Sequence, residues 1–301
     1  MQEDFFKEQL QILNKAQKDV VEQIYGPIMV VAGPGTGKTQ IIALRTANII
    51  LKSWVNPENI LITTFTEAWV IAIKKRLVRF IWTDAYKVKV STIHSFAQDV
   101  ITSFPEKFAE QKAWNTIDDI ESLEVLTKIL DNNIKNWTIE HLFTPFDRYM
   151  YLRDIKDRIG KLKWEWINFS KFEKIISVLR DEYDNKLEEL KTNKRIRDLE
   201  KRTKKDSDAY KKHIAKLNEL NFVYKEYQEY LKEKSLYDFS DMINFVVEKF
   251  RADENMKSFY AEKYQFIMLD EYQDTNNPQN EIMDSILEMG DEKNIMVVWD
   301  D

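Results

Sequence analysis

The chain has 301 residues, of which 44% are hydrophobic and 32% are charged, with a net charge of −6 at pH 7 and no cysteine. This length and apolar content allow two domains, or one domain with a large insertion. The lack of cysteine excludes disulfides and thiolate metal sites, and it fits a reducing cytoplasm. The acidic N-terminus has no secretory signal, and no apolar run is long enough to span a membrane.

The first segment has helical apolar spacing, which predicts one helix over residues 5–25. This segment contains Gln17, about twenty residues before a glycine-rich loop. A glutamine amide can read an adenine edge because it offers a donor and an acceptor together. A single glutamine is more often a solvated helix residue, so both interpretations stay open at this point.

A glycine-rich loop is the centre of the sequence. It follows an apolar run at 28–32, which predicts a buried strand, and it precedes residues 40–50, which have helical spacing. Strand, loop, Lys-Thr and helix in this order are typical of a phosphate-binding loop, although Ala32 stands where the usual spacing has its first glycine. Lys38 is expected to reach the β- and γ-phosphates of ATP, and Thr39 to hold Mg²⁺. The predicted nucleotide-binding residues of the loop are Gly33, Gly35, Thr36, Gly37, Lys38 and Thr39.

Two further strands are predicted at 60–64 and 88–92, and each ends in a polar and aromatic cluster. In a parallel α/β sheet, ligands bind at the carboxyl edge where such clusters meet. The candidate nucleic-acid contacts are Phe65 and Phe96, for stacking on bases, and Thr66, Thr92 and His94, for bonding phosphates. The alternative is that both phenylalanines belong to the core and that the histidine is buried and satisfied.

Residues 97–236 show no convincing strand pattern and are predicted to be helical. Two long helices are expected over 172–231, with a break at 203–208. The stretch 191–216 carries eleven lysines and arginines against four acids. It fits a phosphate-contacting surface or, equally, a solvated helix face. The sheet is expected to resume after a further helix that begins within 237–243.

Carboxylates follow the apolar strand predicted at 264–269, and a last strand is predicted at 294–298. Acids directly after a buried strand are costly unless they face a cation. Asp270 is therefore expected to hold Mg²⁺, and Glu271 to take a proton from the attacking water. This interpretation puts the phosphate loop on a strand that neighbours the one ending at Asp270.

Together these motifs resemble the superfamily 1 DNA helicases of the UvrD/Rep type. The resemblance implies an α/β fold: a RecA-like P-loop NTPase parallel sheet flanked by helices and interrupted by an all-helical inserted subdomain. Residues 1–100 and 237–301 would form the RecA-like ATP-binding domain, and 101–236 the insertion, with the second RecA-like domain absent from this chain. It also implies that Gln17 reads adenine. The motifs that carry the resemblance are Ala32–Thr39, Thr64–Thr66, Thr92–Phe96, Asp238–Met242 and Asp270–Thr275.

The same resemblance implies an ATP-dependent DNA helicase that uses ATP and Mg²⁺ and moves 3′→5′ on single-stranded DNA, or at a single-strand/duplex junction, in repair or recombination. Two stretches depart from the family pattern. Glu67-Ala68-Trp69-Val70 stands where the family has Asn-Lys-Ala-Ala, and Trp299 stands at a glycine position. The family completes its ATP site with arginines from the second RecA-like domain. Residues 1–301 are therefore expected to be an N-terminal fragment that hydrolyses ATP poorly.

Two rival functions stay open. One is a non-motor P-loop module whose helical insertion docks a protein partner and whose nucleotide only switches its shape. The other is the helicase part of a recombination nuclease. DNA-stimulated ATPase activity would distinguish the motor from the module.

Overall fold

A computed structural model describes residues 2–109, 115–192, 199–290 and 293–300. The chain divides into two compact units, which we call the sheet unit (1–108 and 242–301) and the helical unit (109–241). The domain boundaries drawn from the sequence at 100/101 and 236/237 stay a prediction. Within the described ranges, no helix has the length and apolar character needed to cross a membrane.

Within the described ranges, the sheet unit is built on five parallel strands: Ile28–Val31 (β1), Ile60–Thr64 (β2), Lys89–Thr92 (β3), Phe266–Leu269 (β6) and Ile295–Trp299 (β7). Their order across the sheet is β1-β7-β6-β2-β3. The predicted parallel α/β sheet is thereby confirmed. The central strands β2 and β6 are buried throughout, as expected for strands covered on both faces.

The strand order corrects one expectation. The phosphate loop follows β1, and Asp270 follows β6, but these two strands are not neighbours because β7 lies between them. In the register, Met296 of β7 pairs with Ile28 of β1 on one side and with Met268 of β6 on the other. The end of β7 therefore stands between the two predicted halves of the nucleotide site.

The helices within residues 2–81 form one hydrophobic core with the strands of this sheet. The single helix predicted over 5–25 is wrong. The chain breaks at Asn14, whose side chain accepts the Gln17 N–H in a capping box that starts the second helix. The helices are Gln2–Ile12 (α1), Lys15–Glu22 (α2), Lys38–Ser53 (α3), Glu67–Ile81 (α4), Ile93–Ser103 (α5), Phe239–Ala252 (α10), Glu254–Lys263 (α11) and Asn277–Glu288 (α12); α10 begins in the helical unit.

The helical unit contains the two predicted long helices, but the break at 203–208 is wrong because the second helix runs through it; the residues between the helices, 193–198, lie outside the described ranges. The unit is also not all-helical. A short parallel pair joins Asn115–Thr116 (β4) to Leu236–Tyr237 (β5), and two-residue strands are too short to show a period in sequence. Its main helices are Asp119–Lys135 (α6), Leu152–Trp164 (α7), Phe169–Thr192 (α8) and Leu199–Glu233 (α9).

Candidate functional site

The glycine-rich loop leaves β1 and ends where α3 begins at Lys38. Gly35 and Gly37 have φ of +77° and +88°, the left-handed region that glycine adopts without a steric penalty. The Thr36 hydroxyl donates to the Gly33 carbonyl at 2.8 Å and closes the turn. The first N–H groups of α3 have no partner within their own helix, so the loop and the helix start offer donors to an anion.

Lys38 lies in the first turn of α3 and is largely buried. Its Nζ is 2.7 Å from Asp300 Oδ1 and 3.4 Å from the Ala32 carbonyl. The Ala32 N–H in turn donates to the Trp299 carbonyl at 3.0 Å. The end of β7 thus supports both the loop and its lysine. In this structure Asp300 is the counter-ion of Lys38. A bound phosphate can replace it.

Sequence reasoning did not assign Asp300 or Gln273 to the site. The Asp300 N–H donates to Gln273 Oε1 at 2.9 Å, and Gln273 Nε2 donates to Glu271 Oε2 at 2.6 Å. Hydrogen bonds and an ion pair therefore connect Glu271 to Lys38 through these two residues. The available signal for Asp300 was an acid directly after an apolar strand, the same pattern that singled out Asp270.

Asp270 follows β6 and is only 5% exposed. Burial raises the pKa of its carboxyl to about 6, the charge of Glu271 adds to this, and Lys38 opposes it. Its Oδ1 has no hydrogen-bond partner among the described residues. A buried carboxylate oxygen without a donor is well suited to a cation, so Asp270 together with the hydroxyl of Thr39, in the first turn of α3, fits the ligand set of Mg²⁺.

Glu271 stands directly after this buried carboxyl with φ of +54°. A left-handed backbone is unfavourable for a residue with a Cβ atom, and such strain is concentrated at functional sites. The conformation directs the chain into the short 3-10 turn Tyr272–Asp274. Gln273 then lies close enough to bond the Glu271 carboxylate.

Gln17 contacts the phosphate loop. Its Nε2 donates to the Thr36 carbonyl at 3.0 Å, and its Oε1 accepts the Asn14 N–H at 3.0 Å. The side chain therefore ties the start of α2 to the loop. It stands beside the loop glycines, since a Cβ atom added at Gly37 would lie 4.0 Å from its Nε2.

The predicted nucleic-acid residues lie at the same edge of the sheet. One cleft is lined by the ends of β2, β3 and β6, and it brings Phe65 and His94 together with Asp270 and Glu271. Phe65 is half exposed. Burial lowers the pKa of His94 below its ordinary value, which favours the neutral ring.

Phe96 does not face this cleft, and its assignment as a base-stacking residue is wrong. It is 1% exposed, and its ring packs edge-on against Tyr260 and Tyr264 at centroid distances of 5.7 and 6.0 Å. The ring belongs to the core, as the alternative interpretation had it. The sequence could not decide because Phe65 and Phe96 follow equivalent strand ends, and only packing distinguishes them.

Thr66 and Thr92 each cap a helix. Thr66 accepts the Trp69 N–H at the start of α4, and Thr92 accepts the Ser95 N–H at the start of α5. One carboxylate oxygen of Glu67 lies 3.3 Å from the Thr92 hydroxyl and 2.9 Å from the Ser95 hydroxyl. The carboxylate of Glu67 therefore accepts hydrogen bonds from the hydroxyl groups at the start of α5.

A known protein family matches most of this chain. The family described as the UvrD/REP helicase N-terminal domain matches residues 13–301. The chain belongs to this family. The family relationship agrees with the parallel sheet, and with the phosphate loop and acidic strand end that meet at its edge.

Curated relatives of the UvrD/REP family are similar over most of the chain. DNA helicase II from Rickettsia typhi is 30% identical over 269 residues, which cover 89% of this chain and 34% of that protein. ATP-dependent DNA helicase PcrA from Staphylococcus epidermidis is 27% identical over 288 residues, which cover 96% of this chain and 33% of that protein. The chain thus spans about a third of the length of the curated relatives it matches.

Proposed function

We propose that this chain is the ATP-binding part of a DNA helicase, which couples ATP hydrolysis to 3′→5′ movement on single-stranded DNA. The observation that carries the proposal is the shared cleft, in which Asp270 and Glu271 stand beside Phe65 and His94. Lys38 is close enough for its charge to act on Asp270. A nucleotide at Lys38 and a DNA strand at Phe65 would therefore be separated by the ends of β7 and β6, which carry Asp300 and Asp270.

The nucleotide side uses groups that the fold already orients. Lys38 binds the β- and γ-phosphates in exchange for Asp300, and the loop N–H groups bind their oxygens. Thr39 and Asp270 hold Mg²⁺, which neutralises phosphate charge when bound. Glu271 accepts the proton of the attacking water. The amide of Gln17, beside the loop, reads the adenine.

The DNA side uses the exposed part of the same cleft. Phe65 is half exposed and can stack on a base, and His94 lines the cleft beside it. Thr66 and Thr92 cap the helices that follow these strand ends, and they would bond the strand from there. Phe96 is left out because it is buried. Nucleotide-dependent shifts of Asp270 and Glu271 would reach Phe65 and His94 across the cleft they line, which is the coupling that a motor needs.

The basic stretch of the helical unit is proposed as a second phosphate contact. Lys211, Lys212 and Lys216 line one groove with aromatic side chains of the 140–151 segment, among them Tyr151, whose ring lies 4.7 Å from Lys216 Nζ. The side chains of residues 189–206, which carry the other basic residues of the stretch, lie outside the described part. A cytoplasmic location and a role in repair or recombination rest on the resemblance alone.

The test measures ATP turnover by the full-length protein, with and without single-stranded DNA. DNA should stimulate turnover, and Glu271→Gln should keep ATP binding but lower turnover about 10²- to 10⁴-fold because the proton acceptor is lost. Glu262→Gln, at an exposed position of α11, is the matched control and should change neither. Turnover that DNA does not affect would contradict the motor and favour a non-motor module that binds a protein partner.

A further inference from the structure

Four tryptophans at or just after helix ends have a backbone with positive φ. Their φ values are 56° at Trp54, 49° at Trp82, 57° at Trp137 and 55° at Trp166. Among the described residues, Ser235 and Glu271 are the other non-glycine residues with positive φ. Left-handed backbone brings the Cβ atom of an L-residue close to the following carbonyl oxygen, a clash that glycine avoids.

Two of these positions have the full hydrogen-bond pattern of a glycine-type helix end. After α6, the Trp137 N–H donates to the Ile134 carbonyl, and the next N–H, of Thr138, donates to the Asn133 carbonyl. After α7, the Trp166 N–H donates to Lys163, and the Ile167 N–H donates to Leu162. This is the Schellman motif, whose left-handed residue is usually glycine and sometimes asparagine.

Packing does not compensate for the strain at three of the four positions. The exposed fractions of these residues are 93% at Trp54, 82% at Trp137 and 60% at Trp82. Tryptophan is normally a highly buried residue because its ring gains much from leaving water. These rings therefore combine an unfavourable backbone with little burial.

The composition points the same way. The chain has 6 glycines and 8 tryptophans in 301 residues, whereas glycine usually makes up about 7% of a protein. Trp299, at the end of β7, also stands where the UvrD/Rep family has glycine. The centroid of its ring lies 6.2 Å from that of Tyr272. Glycine is thus scarce in this chain, and tryptophan occupies positions whose backbone geometry suits glycine.

We propose that the codon written as tryptophan in this chain is read as glycine in the cell that makes the protein. One codon can specify different amino acids in different genetic codes, so a single reassignment accounts for all of these positions. In the cell, glycine then ends α3, α4, α6 and α7, and the end of β7 beside Asp300 carries no ring.

The direct test is peptide mass analysis of the protein isolated from its own cells. Peptides that contain positions 54, 137 and 166 should have the mass expected for glycine. The same peptides with the mass expected for tryptophan would overturn the proposal.

A second test measures the backbone strain in the tryptophan-containing chain. Trp54→Gly and Trp137→Gly should each raise the midpoint of thermal unfolding by a few degrees, whereas Trp54→Ala and Trp137→Ala should not, because alanine keeps a Cβ atom. Trp69→Gly is the control within a helix and should lower the midpoint. Equal effects of glycine and alanine at both helix ends would remove the physical basis of the proposal.

Discussion

Two buried lysines, one in each unit, differ in how their partners are satisfied. Lys163 of the helical unit is 1% exposed at its side chain and pairs with Asp238 and Asp241. Lys38 of the sheet unit pairs with Asp300, but the buried carboxyl of Asp270 nearby has an oxygen with no hydrogen-bond partner among the described residues. We call the cluster around Lys163 the closed cluster, and the cluster around Lys38 and Asp270 the open cluster.

The closed cluster uses its oxygen atoms fully. Asp238 Oδ1 accepts the N–H groups of Ser240 and Asp241, and Asp241 Oδ2 accepts from Lys163 and from the Asp238 N–H. Burial alone would lower the pKa of Lys163, but the charges of Asp241 and Asp238 outweigh it and raise that pKa above its ordinary value. In a closed cluster the loss of one charge leaves the others buried without a partner, whereas an open cluster leaves capacity for a ligand.

The largest expected effect is on the closed cluster. Lys163→Met should lower the free energy of unfolding by about 3–5 kcal/mol because the buried carboxylate of Asp241 and the partly buried one of Asp238 lose their cation. Denaturant unfolding measures this. Lys156→Met, in the same helix, breaks a pair with the exposed Asp119 and should cost about 1 kcal/mol or less. Similar losses in both variants would contradict the difference between buried and exposed pairs.

The next effect is on the open cluster. Lys38→Ala should weaken ATP binding a hundredfold or more, about 3 kcal/mol, because the phosphates lose their cation. Titration with a fluorescent ATP analogue measures the affinity. Lys52→Ala, in the last turn of the same helix, is the control and should bind normally. Unchanged affinity in the Lys38 variant would remove the phosphate-loop assignment.

Asp270 links stability to pH. Its pKa rises from 3.8 to about 6 on folding, so its charged form is less stable in the folded chain. The metal-free protein should therefore lose stability as pH rises from about 4 to about 6, and Asp270→Asn should recover at most about 3 kcal/mol at pH 7. Urea unfolding across this range, without Mg²⁺, is the measurement.

The same substitution should remove Mg²⁺-dependent tightening of ATP binding, which in the parent chain should also weaken below pH 6 as the carboxyl is protonated. Asp274→Asn, at an exposed position of the same loop, is the control for both readouts. An Asp270→Asn variant that is less stable than the parent at pH 7 would show that the carboxyl is satisfied after all.

The smallest effect concerns Glu67, which begins α4 and whose carboxylate reaches the hydroxyl groups at the start of α5. Glu67→Gln should increase the affinity for single-stranded DNA a few-fold, within about 1 kcal/mol, because a negative charge leaves the Thr92 and Ser95 hydroxyls. Fluorescence anisotropy with a labelled oligonucleotide at fixed salt measures it. Glu58→Gln removes the same charge before β2, at the opposite end of that strand, and should have less effect. Equal gains would mean that only net charge matters.

Much of the fold followed from local patterns. The strand at Ile60–Thr64 lies where its apolar run predicted it, and α3 begins at Lys38, two residues before the helical spacing predicted over 40–50. The break at Asn14 was missed because its capping box interrupts an apolar pattern that continues through it. The pair of two-residue strands, Asn115–Thr116 with Leu236–Tyr237, was missed because its partners are far apart in sequence.

The sequence by itself determined the chemistry of the strand ends: a lysine and threonine after β1, and two acids after β6. Only the tertiary structure decided that β7 lies between them, that Asp300 holds Lys38, and that Phe96 is buried while Phe65 is exposed. Local residues fix which strands and loops form, because periodicity and glycine geometry act over a few positions. Strand order and burial depend on packing between distant segments, and no local pattern encodes that packing.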